Sequence, residues 1–161
     1  MRTGSRLAIP KDEMGKFNKF LRGKRLPSSR KMSSKAIESY EKQHGKITPD
    51  KLKSDFSQII TWCMQIETRM FNEIMDDLRE SWGSDLLNVK DRHERFPIIS
   101  GIVDSAMDCM KSSSTTEKKI AEVTRILSSI NDGVSYGQKQ AGKTRAGEAF
   151  QNYLEHFFDI L

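Results

Sequence analysis

The sequence predicts a mainly helical chain, and three observations carry that expectation. Apolar residues recur at spacings of three and four along most of its 161 residues, which is the period of one helix face. Start and stop signals stand at the ends of these stripes, with Thr48-Pro49-Asp50 ahead of one and Asn131-Asp132-Gly133 behind another. No stretch reads as a strand of convincing length, and there is no internal repeat and no heptad array.

Charge divides the chain. Residues 1–35 hold 11 Lys and Arg against Asp12 and Glu13, a local balance of +9 within a net charge of +5. The remainder holds 16 basic and 20 acidic residues, or −4. The positive excess therefore belongs to the N-terminal segment. Such a segment suits a polyanion, because each Lys or Arg set on a phosphate releases a condensed counterion. Apolar residues make up 36% and charged residues 30%, so part of the chain is expected to be extended, or its core to be completed by something else.

Taken in order, residues 1–35 read as a basic flexible arm in which Phe17, Phe20 and Leu21 form one short amphipathic turn. A solvated tail and an arm lying along DNA or a partner subunit are both compatible with it. Residues 36–133 read as a helical subdomain. It opens with a short helix over 37–44, ended by Gly45. Thr48-Pro49-Asp50 supplies an N-cap hydroxyl, a proline at the first helical position and an acid in the first turn. From there Leu52, Phe56, Ile59, Ile60, Cys63, Met70, Phe71, Ile74, Met75 and Leu78 face inward on a long helix ending at Gly83. Phe96-Pro97 opens the next helix, with Ile98, Ile99, Ile102, Val103, Ala106 and Met110 inward. Residues 112–116 break it. Glu117 then helps start a helix with Ile120, Val123, Leu127 and Ile130 inward, closed at Gly133. Residues 134–161 read as a basic loop over 134–143 and a final helix beginning near Thr144, with Phe150, Tyr153, Leu154, Phe157, Phe158 and Leu161 inward.

Several function classes are disfavoured. Cys63 and Cys109 make no metal spacing and no C-x-x-C pair, which suits two reduced core thiols in a cytoplasmic protein. His44, His93 and His156 form no H-E-x-x-H or similar pair, so a zinc site is not expected. Arg2 and Arg6 are followed by no apolar run of signal-peptide length, and no stretch approaches the ~20 apolar residues of a membrane span. Asp104 and Asp108 share one helix face away from the apolar stripe and read as solvated.

The junction over 137–147 is the richest in chemistry. Gly137, Gly142 and Gly147 permit close backbone approach, while Lys139, Lys143 and Arg145 supply positive charge. A helix starting at Thr144 would add free amides of the same sign, making a phosphate site. The G-x-x-x-x-G-K-[ST] order of a Walker loop is absent, and an ordinary solvated loop is the alternative. Glu155 stands beside Tyr153 and Leu154 at the edge of the apolar face. There it is either a rim residue or a placed metal-binding carboxylate.

Lys143-Thr144-Arg145-Ala146-Gly147-Glu148-Ala149-Phe150, followed by Tyr153-Leu154-Glu155-His156-Phe157-Phe158, resembles a recurring segment of type II restriction endonucleases. The branch is the one that cuts double-stranded DNA at CC-N-GG or CC-W-GG sites and includes the EcoRII C-terminal domain. In it a basic R-K-x-R-A-G-x-x-[FL]-E segment starts a helix ahead of a PD-(D/E)XK core, and the preceding helices grip the duplex. The match covers about 20 residues, and Gln151 stands where the family pattern usually has Glu. The resemblance implies a helical N-terminal subdomain of a mixed α/β nuclease whose sheet core lies downstream, together with the metal-binding Asp and the lysine of that core. It implies double-stranded DNA as partner, a homodimer, Mg²⁺ in the complete enzyme, DNA contacts by Lys139, Lys143, Arg145 and Gly147, and a catalytic, metal-facing role for Glu155. A non-enzymatic helical DNA-binding protein and a helical interaction protein are the competing readings.

Overall fold

The computed structural model describes residues 8–161 and is mainly helical, with no strand among them. Among the described residues six helices follow one another: α1 (Lys11–Arg25), α2 (Ser29–His44), α3 (Pro49–Leu87), α4 (Arg92–Arg95), α5 (Pro97–Met110) and α6 (Thr116–Ile160). Two compact units divide the chain. One comprises the chain up to Lys24 together with Asp77–Gln138; the other comprises Arg25–Asp76 with Lys139–Leu161. The long helices α3 and α6 therefore each contribute residues to both.

In the first unit the expected arm is, from Lys11 onward, a helix; residues 1–7 lie outside the described residues. The reason is burial. Phe17 and Leu21 are completely enclosed, and the Phe17 ring meets Trp82 edge-on at 6.1 Å and Phe96 at 5.2 Å. An apolar stripe with such partners is not a solvated tail. The buried Glu13 carboxylate accepts from the backbone N–H groups of Ile98 (3.1 Å) and Ile99 (2.6 Å). It thereby satisfies the first-turn donors of α5 and sets a negative charge at the positive end of its dipole. Ile99, Ile102, Val103 and Ala106 face inward as expected, whereas Ile98 and Met110 are exposed. Asp104 is not simply solvated: it accepts from Arg92 at 2.8 Å and lies 2.7 Å from the His93 ring nitrogen. That paired arrangement holds its carboxyl below the ordinary value, through the His93 and then the Arg92 hydrogen bond.

The largest departure from expectation is α6. A helix closing at Gly133, a loop over 134–143 and a new helix at Thr144 are replaced by one continuous helix. Gly133 and Gly137 do not make turns; Gly45 is the only described residue with positive φ. They make room instead. A Cβ on Gly133 would overlap the Met14 side chain, and one on Gly137 would overlap the Asn18 amide. Asn18 donates to the Gly133 carbonyl at 3.2 Å and accepts from Gln138 at 3.3 Å. These glycines let α1 and α6 approach closely, which a turn-seeking reading of glycine misses. Ile126, Ile130 and Val134 form the buried face here, and Ile120 is exposed.

In the second unit α2 begins at Ser29, eight residues before the expected short helix, with Ser28 Oγ accepting from the Lys31 N–H at 3.3 Å. It ends as expected at Gly45, whose φ of 85° favours glycine. α3 starts at Pro49, with Thr48 Oγ1 accepting from Lys51 N–H at 3.2 Å. It bends at Asp55 (φ −125°, ψ 22°) and continues past Gly83 to Leu87. Leu52, Ile59, Ile60, Cys63, Phe71, Met75 and Leu78 face inward as the spacing predicts; Phe56 is partly exposed. The core of this unit joins Ala36, Ile37, Tyr40, Leu52, Ile59 and Cys63 to Ala149, Tyr153 and Phe157 of α6.

Candidate nucleic-acid interface

The part of α6 that belongs to the second unit carries the K-T-R-A-G segment with Lys139, Gly142 and Glu155, while Gly137 lies in the first unit. Its inward face is Arg145, Ala149, Tyr153 and Phe157. Phe150, Phe158 and Leu161, which the spacing predicted inward, are exposed at 44%, 68% and 61%. Lys139, Lys143 and Gly147, four residues apart, are exposed. Successive residues at that spacing lie along one ridge of a helix.

Arg145 is not on that ridge. It is 7% exposed, and its guanidinium carbon sits 5.4 Å from the centre of the Phe71 ring. Gly142, one turn earlier, is tight against the same ring: a Cβ there would meet Phe71 Cε1 at 3.4 Å. Nε and Nη2 of Arg145 have no hydrogen-bond partner among the described residues. Burial pushes its pKa down, and the charges of Glu67, Glu148 and Tyr153 oppose that. Arg145, expected at the DNA, faces inward against Phe71 in this structure. The helix N-terminus expected at Thr144 does not exist, so no free amides add to a phosphate site there. Gly147 has nothing within 4 Å of where a Cβ would stand, so no contact within the chain calls for glycine.

Glu67 is the residue that the sequence reading missed. It is 4% exposed and accepts from Ser33 Oγ at 2.8 Å. Ser33 Oγ in turn accepts from Asn152 Nδ2 at 3.3 Å, and Tyr153 donates its hydroxyl to the Cys63 carbonyl at 3.2 Å. Burial raises the Glu67 pKa, while the Ser33 hydrogen bond, the Arg145 charge and the Tyr153 hydroxyl act against it. Burial likewise pushes the Cys63 thiol up to about 12, aided by Glu67 and Glu41, so the thiol is inert at neutral pH. The signal was present: Cys63, Glu67 and Phe71 stand at i, i+4, i+8 inside the apolar stripe of α3. A carboxylate at such a position calls for a buried partner.

Glu155 is exposed. It accepts from Arg30 Nη2 at 3.5 Å and from Gln151 Nε2 at 3.4 Å. Gln151, at the position where the resembled pattern has Glu, thus touches Glu155. Mg²⁺ takes six oxygens in a near-ideal octahedron. One or two carboxylates, waters and phosphates supply them; Glu155 offers one carboxylate, beside a guanidinium, and among the described residues no group of three or more His, Cys, Asp or Glu side chains could hold a metal. No helix of the described residues is long and apolar enough to cross a membrane. No family model, curated protein or solved structure matches the chain.

Proposed function

We propose that this chain is the DNA-gripping helical portion of a type II site-specific endonuclease of the branch that cuts at CC…GG sites. The observation that supports the reading is the layout of the K-T-R-A-G segment on α6. Lys139, Lys143 and Gly147 lie exposed along a ridge, and Arg145 and Tyr153 anchor the opposite face to Phe71 and Cys63. A helix locked on one side and cationic on the other offers phosphate contacts in fixed register. Phosphodiester hydrolysis belongs, in this reading, to the metal-binding core that the resemblance places after the helix. Glu155 would approach that core from the rim.

A second reading, a non-enzymatic helical DNA-binding protein, is favoured by one observation: Glu155 is paired with Arg30. The two readings part on sequence preference. Duplex binding measured by anisotropy, with a CC-W-GG duplex and a scrambled one, separates them. The endonuclease reading expects tighter binding to the CC-W-GG duplex and a loss on both duplexes for Lys139→Gln/Lys143→Gln. Equal affinity for both sequences favours the non-enzymatic module. Affinity untouched by the double variant removes the α6 ridge from either reading.

A further inference from the structure

We propose that a cleft of the first unit, formed by α1 and the α4–α5 junction, is a second grip on duplex DNA, holding the phosphates of one strand. This deepens the DNA-binding reading and rests on it. The cleft measures about 400 Å³ and is lined by Lys16, Lys19, Phe20, Glu94, Arg95 and Phe96. Arg95 is the key residue. Its guanidinium carbon lies 5.0 Å from the centre of the Phe20 ring and 5.1 Å from that of Phe96. Two aromatic contacts fix the planar head without using any of its N–H donors. The Lys24 ammonium stands 5.3 Å from the same Phe20 ring. Lys16 and Lys19 are exposed one turn apart on α1. Among the described residues none of these four cations makes an ion pair, and Glu94 is the one carboxylate lining the cleft.

Lys24 and Arg95 against the Phe20 ring, with Lys16 and Lys19 on the same helix, repel one another, so the arrangement is best satisfied by a polyanion. Lys16 and Lys24 are eight residues apart, which is about 12 Å along a helix. That length faces three to four successive phosphates of one strand, at about 3.4 Å of duplex axis each. A single inorganic phosphate would engage only part of the set, which is why the occupant is a strand and not an isolated ion. Contacts to the phosphates of a strand carry no sequence information, so this grip is independent of sequence.

The test uses the full chain and a labelled duplex, with affinity followed as salt rises. Each phosphate contact contributes about −0.9 to the slope of log K against log salt. Lys16→Gln/Lys19→Gln/Arg95→Gln is expected to reduce that slope by about 2–3, equally for a CC-W-GG and a scrambled duplex. Lys16→Gln/Lys19→Gln, which leaves the stacked Arg95 in place, is expected to reduce it by about 2 and keeps the test open if the triple variant folds poorly. An unchanged slope in both variants, with parent binding intact, overturns the cleft and leaves the α6 ridge standing. No duplex binding by the parent chain overturns both. Competition by millimolar inorganic phosphate as effective as unlabelled duplex, or tighter binding to an acidic polypeptide than to duplex, also overturns the cleft as a DNA grip.

Discussion

Glu67 is where residue chemistry departs furthest from the ordinary. Its carboxyl is enclosed beside Ser33 and Arg145, and burial raises its pKa above the value of about 4.3 found in an unfolded chain. The native state therefore binds more protons than the unfolded state between the two values, and stability falls as pH rises through that window. Glu67→Gln is expected to flatten the pH dependence of the melting temperature across it; a dependence as steep as the parent's would show that another group carries it. Arg145 is the counterpart. Arg145→Met removes the cation that opposes the rise of the Glu67 pKa and is expected to lower stability in chemical denaturation. Glu67→Gln in the same chain should recover part of that loss. Lys143→Ala, at an exposed position, is expected to leave stability unchanged and weaken duplex binding. The two cations of one motif thus have opposite readouts.

At the scale of elements, glycine is the discriminating residue. Gly→Ala inside a helix ordinarily stabilises by about 1 kcal/mol. Gly147→Ala is expected to follow that rule, since nothing lies within 4 Å of the added methyl. Gly137→Ala should destabilise, because the methyl would overlap the hydrogen-bonded Asn18 amide, whereas at Gly133 the flexible end of Met14 can give way. Thermal unfolding of the three variants checks the close approach of α1 and α6; stabilisation by all three would contradict it. The start of α3 at Thr48-Pro49, its apolar stripe and the Gly45 stop of α2 were legible in the sequence, because caps and periodicity are local signals. The continuity of α6 was not. Gly133, Gly137 and Gly142 look like punctuation until the side chains of Met14, Asn18 and Phe71 are seen against them. The helicity of α1 was missed for a similar reason. Its basic composition masked the stripe that Phe17 and Leu21 bury, and their partners Trp82 and Phe96 lie far along the chain.

For the whole molecule, charge is the property that meets function. Lys16, Lys19 and Lys24 of α1, with Arg95, and the Lys139–Lys143 ridge of α6 are exposed, while Arg145 is drawn inward. The net charge of +5 understates this, since the 20 acidic residues after position 35 offset it in the sum. The candidate site was half legible: the basic residues and their helix could be read from sequence, but which of them face outward depended on Glu67 and Phe71 across the unit. The measurement that tests the central claim most directly is the salt dependence of duplex binding by the full chain. The account predicts measurable binding at low salt, with log K falling linearly as log salt rises and a slope of about −0.9 per phosphate engaged. No binding to duplex DNA at low salt, or an affinity that does not respond to salt, would contradict it.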